Sequence, residues 1–171
     1  MTEMIPTWVD GKLVAVEKLE AHRRGLLHKA VSVFVLHGTE VLIQRRAMAK
    51  YHTPGLWANT CCTHPYAGEL PKDCAARRLS QELGLSGLTL EHRDQITYRA
   101  DVGQGLIEHE RVDIFVARVA RRVTPRPNPD EVMETAWVDM AELAQRTRRR
   151  PDAYTPWLCI YMDQYSAQIF A

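Results

Sequence analysis

Pro71-Lys72-Asp73-Cys74-Ala75-Ala76-Arg77-Arg78-Leu79-Ser80-Gln81-Glu82-Leu83-Gly84-Leu85 is the stretch whose reading decides the fold. Pro71 suits a first helical position, where its missing N–H would go unpaired anyway, and Gly84 suits the position just past the end. Ala75, Leu79 and Leu83 recur every four residues and give one apolar stripe. The segment therefore predicts a helix over 71–83. Arg78 and Glu82 lie four apart on one of its faces, a spacing worth roughly 0.3 kcal/mol when such a pair sits at the surface.

Outward from this helix the pattern changes to strands. Ala30 to Leu36 is apolar and β-branched, and Glu40 to Gln44 is a second such run, with His37-Gly38 opening the turn between them. Thr7-Trp8-Val9, Asp10-Gly11 and Lys12 to Val16 read as a hairpin, since Asp-Gly suits a type I′ turn. Ala47 to Ala58, with Pro54 and Gly55, reads as loop. Long strands are expected at Leu88 to Tyr98 and Leu106 to Ala117, around the turn Asp101 to Gly105. A proline-stiffened link, Thr124 to Asp130, precedes a strand at Glu131 to Val138 and a short helix at Met140 to Gln145. Thr155-Pro156-Trp157 opens a C-terminal helix reaching about Ile169. Strands around a few helices, without regular alternation, predict an α/β (α+β) domain with a mixed β-sheet core.

The chain has 171 residues, 46% hydrophobic and 25% charged, so a single domain over 1–171 is expected, and fibrous or widely disordered classes are disfavoured. Net charge is +1. No global field directs such a chain to nucleic acid or membrane. The basic run Arg146 to Arg150 lacks interleaved aromatics and reads as a solvated helix end or loop. The longest apolar stretch, Ala30 to Leu36, is too short to span a bilayer. Met1 to Pro6 shows no basic segment followed by an apolar core, so a cytoplasmic, reduced setting is expected for Cys61, Cys62, Cys74 and Cys159.

Three groups could carry chemistry. Asn59-Thr60-Cys61-Cys62-Thr63-His64-Pro65 is expected in a polar turn. Its Cys and His could be two metal ligands, a nucleophile with a ligand, or a structural thiol beside an incidental imidazole. Glu108-His109-Glu110 lies in a predicted strand, which puts both carboxylates on one face and His109 on the other. Carboxylates about 7 Å apart along a strand repel if buried bare, so they need a cation, a shared proton, or water. His22 and His28 are six apart, which no helical face accommodates, but a turn at Gly25 could join them. Together His22, His28, His64, Glu108 and Glu110 suit an octahedral divalent ion better than a tetrahedral structural zinc. His37, His52 and His92 carry no assignment, and Cys74 and Cys159 read as small buried thiols.

The helix resembles the Nudix signature. Thr63, Glu69, Arg77, Arg78, Leu79, Gln81, Glu82, Gly84 and Leu85 occupy its positions. Thr63 replaces the first Gly, while Arg78 and Gln81 replace two metal-binding Glu, which counts against the alternative of a Nudix-type diphosphate hydrolase. The whole chain is similar to the type I isopentenyl-diphosphate Δ-isomerases of the Nudix superfamily. The carrying residues are Ala21-His22, Gly25, Leu27-His28, Arg45-Arg46-Ala47, Pro54-Gly55-Leu56-Trp57, Asn59, Cys62-Thr63-His64-Pro65, Tyr98-Arg99-Ala100, Glu108-His109-Glu110 and Pro156-Trp157. Thr63 again departs, since that family has Gly after its catalytic Cys.

The resemblance implies roles by position. Cys62 and Glu110 would be catalytic, on opposite faces of a C5 substrate, and Cys61 a bystander. Tyr98 would join the proton network around Glu110, and with Trp157 it would line the hydrocarbon pocket. Lys18, Arg46, Lys50 and Arg78 would bind the diphosphate. His22, His28, His64, Glu108 and Glu110 would hold Mn, Mg or Zn, and Glu82 a Mg²⁺ bridging to the diphosphate. The implied reaction converts isopentenyl to dimethylallyl diphosphate by protonation and deprotonation through a tertiary cation. The implied partner is that small molecule, not nucleic acid or membrane, with the protein a monomer or weak dimer.

Overall fold

The computed structural model describes residues 2–171; Met1, the first residue of the expected domain and of the N-terminal stretch, lies outside them. The hairpin β1 (Met4–Val9) and β2 (Lys12–Glu17) is followed by α1 (Lys18–Arg24), β3 (His28–His37) and β4 (Glu40–Arg46). Then come β5 (Trp57–Ala58), β6 (Cys61–Thr63), α2 (Pro71–Leu83), β7 (Glu91–Gly103), β8 (Leu106–Arg118) and β9 (Val132–Asp139). The C-terminal part holds α3 (Met140–Arg149), a 3₁₀ turn at Pro151–Ala153, α4 (Pro156–Ile160), a π-helical turn at Tyr161–Tyr165 and α5 (Ser166–Phe170).

The helix at 71–83 forms with the expected bounds, Pro71 in its first turn and Gly84 left-handed at φ 63°. The Asp10-Gly11 turn has φ 48° and 76°, the two positive values a type I′ turn requires. Other elements differ from expectation. β7 begins at Glu91 and runs to Gly103, because its ladder with β8 continues through Asp101 opposite Ile107 and Gly103 opposite Leu106. α3 continues past Gln145 to Arg149, helped by an Arg146–Glu142 ion pair and the buried Thr147. Cys61–Thr63 is a strand rather than a polar turn, pairing with Val31 to Val33 of β3. Cys159 is only partly buried, whereas Cys74 is fully so.

β3 organises the mixed sheet. One of its edges runs parallel to β8 from His28 opposite Glu110 to Leu36 opposite Arg118. Its other edge is shared by β1, β6 and β4, all antiparallel. Side chains alternate across a sheet, so β3 serves two cores. Val31, Val33 and Val35 pack with Cys61, Ala75, Leu79 and Leu83 against α2. Ala30, Phe34 and Leu36 pack with Ile114, Trp157, Leu158 and Tyr161 on the opposite face. Each buried leucine of α2 contributes about 1.5–3 kcal/mol. The result is a sheet between helices. No helix among the described residues is long and apolar enough to cross a membrane.

Gly84 ends α2 through N–H bonds to Leu79 and Ser80 carbonyls. A Cβ there would meet Arg126 Cβ at 2.9 Å and its carbonyl oxygen at 3.1 Å. Gly84→Ala is therefore expected to destabilise the fold by at least about 1–2 kcal/mol, the penalty of a left-handed L-residue alone. Urea denaturation checks this; an unchanged midpoint would contradict the packing.

Candidate active site and metal centre

The first two imidazoles arrive through a helix that sequence periodicity did not disclose. α1 is only seven residues long. The Glu17 side chain caps it by accepting from the N–H groups of Leu19 and Glu20, and Gly25 at φ 63° turns the chain out. That turn delivers His28 to the start of β3 with its ring centroid 4.6 Å from that of His22. His64 follows β6, its ring 5.0 Å from His28 and 5.3 Å from His22. β8 presents Glu108 and Glu110 on one buried face, while His109 turns away to approach the Gly25 carbonyl.

His28 Nε2 and His64 Nε2 lie 3.8 and 3.6 Å from Glu110 Oε1. His22, His28, His64 and Glu110 bring their ligand atoms within 4.8 Å of one another, and His22, His52 and Glu108 form a second such group. Four of the five expected ligands thus cluster, and the fifth, Glu108, joins through the shared His22. Glu108 Oε1 is 3.5 Å from His22 Nε2 and 2.7 Å from His52 Nε2, and its Oε2 accepts from the Tyr98 hydroxyl at 2.9 Å. Tyr98 therefore bonds Glu108. It does not serve Glu110 directly, although the two are register partners across β7 and β8.

The residues present fit a divalent cation. His22 and His28 have Nδ1 at 2.6 and 2.8 Å from the Lys18 and Leu26 carbonyls, which directs Nε2 of each towards the carboxylates, that of His22 also lying 3.4 Å from the Tyr51 hydroxyl. His28 Nε2 and His64 Nε2 are buried with no hydrogen-bond partner. Burial, with the His64 and His22 charges adding, pushes His28 down to about 3. Burial likewise holds His64 well below the usual range. Burial would raise Glu108, but the close approach of the His22 and His52 imidazoles outweighs it and holds the carboxyl well below the usual range. Neutral imidazoles facing a charged carboxylate are the protonation states a metal requires.

Cys62 points into the face opposite α2. Its Sγ donates to Asn59 Oδ1 at 2.7 Å and accepts from Trp157 Nε1 at 3.0 Å and Ser32 Oγ at 3.5 Å. Asn59 is locked by its own donation to the Val33 and Cys61 carbonyls, so its acceptor stays aimed at the thiol. Burial pushes Cys62 up to about 12. The adjacent Cys61 faces α2 instead and donates to Glu82 Oε2 at 3.2 Å.

One cavity of about 460 Å³ is lined by Cys62, Glu108, Glu110, Tyr98 and Trp157, with Lys18, Arg46, Lys50, Arg77 and Arg78 among its cations. Arg46 stacks over Trp157 at 5.2 Å, while Lys50 reaches Glu131 at 2.5 Å and Lys18 reaches Glu3 at 2.9 Å. The Arg78–Glu82 pair is not a surface contact. Glu82 is buried, accepts from Arg78 at 2.6 Å, Gln44 at 3.0 Å and Cys61, and is not among the lining residues. Sequence reading missed His52, which is buried beside Glu108, and the Ser32–Tyr161 hydroxyl pair at 2.8 Å. No local spacing marks these residues, because each meets the site across the sheet.

Known proteins share this arrangement of chain. Residues 26–158 match the NUDIX domain. The isopentenyl-diphosphate Delta-isomerase of Dinoroseobacter shibae is 61% identical over 170 residues, covering 99% of this chain and 97% of its own. That of Rhodobacter capsulatus is 57% identical over 168 residues, covering 98% and 96%. A Deinococcus radiodurans crystal structure superposes with a TM-score of 0.77 at 15% identity, covering 99% of this chain and all of that one, and supports the fold alone. High identity along nearly the whole length, over a NUDIX domain whose helix has lost two carboxylates, places this chain in the isopentenyl-diphosphate Delta-isomerase family.

Proposed function

We propose that this protein interconverts isopentenyl and dimethylallyl diphosphate, with Cys62 and Glu110 moving the protons. The observation that carries the reading is one cavity onto which the Cys62 thiol, the buried Glu108 and Glu110 carboxylates, the Tyr98 and Trp157 rings and the cations Lys18, Arg46, Lys50 and Arg78 all converge. A nonpolar C5 unit with a diphosphate matches that lining: Tyr98 and Trp157 take the hydrocarbon, and Lys18, Arg46, Lys50 and Arg78 take the phosphate oxygens. Arginine can bind phosphate bidentately, whereas lysine acts as a point charge.

One group adds a proton at the terminal alkene carbon and the other removes one across the allylic unit. Cys62 and Glu110 exchange these roles between the two directions. Burial keeps Cys62 a thiol at rest, and Asn59 and Trp157 fix its direction. Glu110 sits with His22, His28 and His64, and Tyr98 holds Glu108 beside it. His22, His28, His64, Glu108 and Glu110 would hold Mn, Mg or Zn, whose positive charge lowers the proton affinity of the groups around it. The intermediate tertiary cation needs a face that neither attacks nor hydrates it. Trp157 offers an indole π face, and such contacts reach about 2 kcal/mol when desolvated. Exclusion of water protects the cation from capture.

Arg78 standing where a hydrolase carries a metal-binding Glu favours holding the diphosphate over cleaving it. Glu82 holding Mg²⁺ beside the diphosphate belongs to the same reading, and it requires Arg78 to trade Glu82 for phosphate. The setting proposed is the cytoplasm, with the protein a monomer or weak dimer.

Proton and phosphorus NMR of isopentenyl diphosphate in D₂O with Mg²⁺ tests the activity. Deuterated dimethylallyl diphosphate with an intact diphosphate is the expected outcome; cleaved phosphate with an unchanged alkene would identify a hydrolase. Cys62→Ala should lower turnover by about 10²–10⁴-fold, the usual contribution of a general acid or base, with metal content retained. Cys61→Ala, on the α2 face, should leave turnover nearly unchanged, and an inactive variant would mean the roles of the two thiols are reversed. Glu110→Gln should lose both turnover and metal, as read by elemental analysis after gel filtration; full metal content with normal rates would refute its double role.

A further inference from the structure

His52 lies in the loop between β4 and β5, in a segment with no metal-ligand spacing. It is nevertheless 2% exposed. Its Nε2 comes within 2.7 Å of Glu108 Oε1, yet that nitrogen has no hydrogen-bond partner among the described residues. The approach is close but not aligned for an N–H to point at the oxygen. Two donor atoms converging on a third centre have that relation. A buried nitrogen left without a partner is otherwise destabilising, because it loses its hydration and gains nothing in return.

The other ring nitrogen repeats a pattern found in the centre. His52 Nδ1 lies 2.8 Å from Thr53 Oγ1, as the Nδ1 atoms of His22 and His28 lie against backbone carbonyls. In each case an oxygen occupies Nδ1, and Nε2 faces the carboxylates. Arg46 anchors the loop by donating to the His52 carbonyl at 3.2 Å, so the imidazole is not free to swing out. His22, His52 and Glu108 bring their ligand atoms within 4.8 Å of one another, and His22 also belongs to the group containing His28, His64 and Glu110.

We propose that His52 is a further metal ligand, adding a fourth imidazole to the centre from the Glu108 side. The proposal rests on reading His22, His28, His64, Glu108 and Glu110 as a metal centre. Four imidazoles with two carboxylates form a donor set that favours Mn, Fe, Co or Zn over Mg. The loop that supplies Lys50 to the diphosphate side of the cavity thereby also closes the metal side.

Loading the full chain, labelled with ¹⁵N-histidine, with ¹¹³Cd tests this without reference to turnover. Four histidines should show ¹¹³Cd–¹⁵N splitting at Nε2, and the signal assigned to His52 should be the one missing in His52→Ala. Zn²⁺ competition against a chelator should show affinity falling about 10–100-fold in His52→Ala and in the bulkier His52→Gln. Thermal unfolding of the chelated variants checks that they fold. Splitting at His22, His28 and His64 alone would overturn the proposal and leave the centre standing. Splitting at none would overturn the metal-centre reading and the proposal with it.

Discussion

Glu108 and Glu110 stand on one face of β8, both nearly excluded from water. Two carboxylates in such a place repel each other and lose their hydration, so the structure around them must supply compensation. Around them it gathers imidazoles from four separate segments (α1, the start of β3, the loop after β4 and the residue after β6), a donor set that a cation can complete. Each comes with its own local device, such as the Glu17 cap and Gly25 turn for His22, or the Leu26 carbonyl for His28. The placement of α1 and the register of β3 against β8 are therefore consequences of where those two carboxylates must be met. A shift of that register by one residue would turn both carboxylates away from His28 and towards the α2 face.

The same register separates the two adjacent thiols. β6 pairs Ser32 with Cys62 and Val33 with Cys61, so neighbouring cysteines are sent to opposite layers. Cys62 enters the layer of Trp157, Tyr161 and the cavity, while Cys61 enters the layer of α2 and donates to Glu82. Pleat parity thus decides which thiol faces the cavity.

How legible this was from the chain follows from how local each feature is. The helix at 71–83, the Asp10-Gly11 hairpin and the alternation of Glu108 and Glu110 are written in short-range periodicity, and all three appear as expected. α1 was hidden because seven residues with two arginines and a buried histidine carry no clear apolar stripe, and its stability comes from a side-chain cap and tertiary packing. β6 was hidden because three residues bounded by polar neighbours resemble a turn until β3 pairs with them. His52 could not be seen at all. Its neighbour Glu108 is distant in sequence, and nothing in Tyr51-His52-Thr53-Pro54 distinguishes a buried imidazole from one exposed on a loop.

The cation arrangement explains why a helix of this type can serve a reaction that leaves the diphosphate whole. Both oxygens of Glu82 are engaged by donors from the protein: Arg78 on one, Gln44 and Cys61 on the other. Arg78 also reaches Glu131 at 3.3 Å, and Lys50 shares that same carboxylate. Much of the positive charge on the cavity wall is thus tethered to acids at its edge, while Arg46 pairs with no carboxylate among the described residues and leaves a buried Nε without a partner. Arg46 is thus the unneutralised cation of the wall, and Lys50 and Arg78 are already shared with Glu131. Where the Nudix signature carries a metal-binding carboxylate, this helix presents the Arg78 guanidinium to the cavity, and Cys62 and Glu110 line the same space.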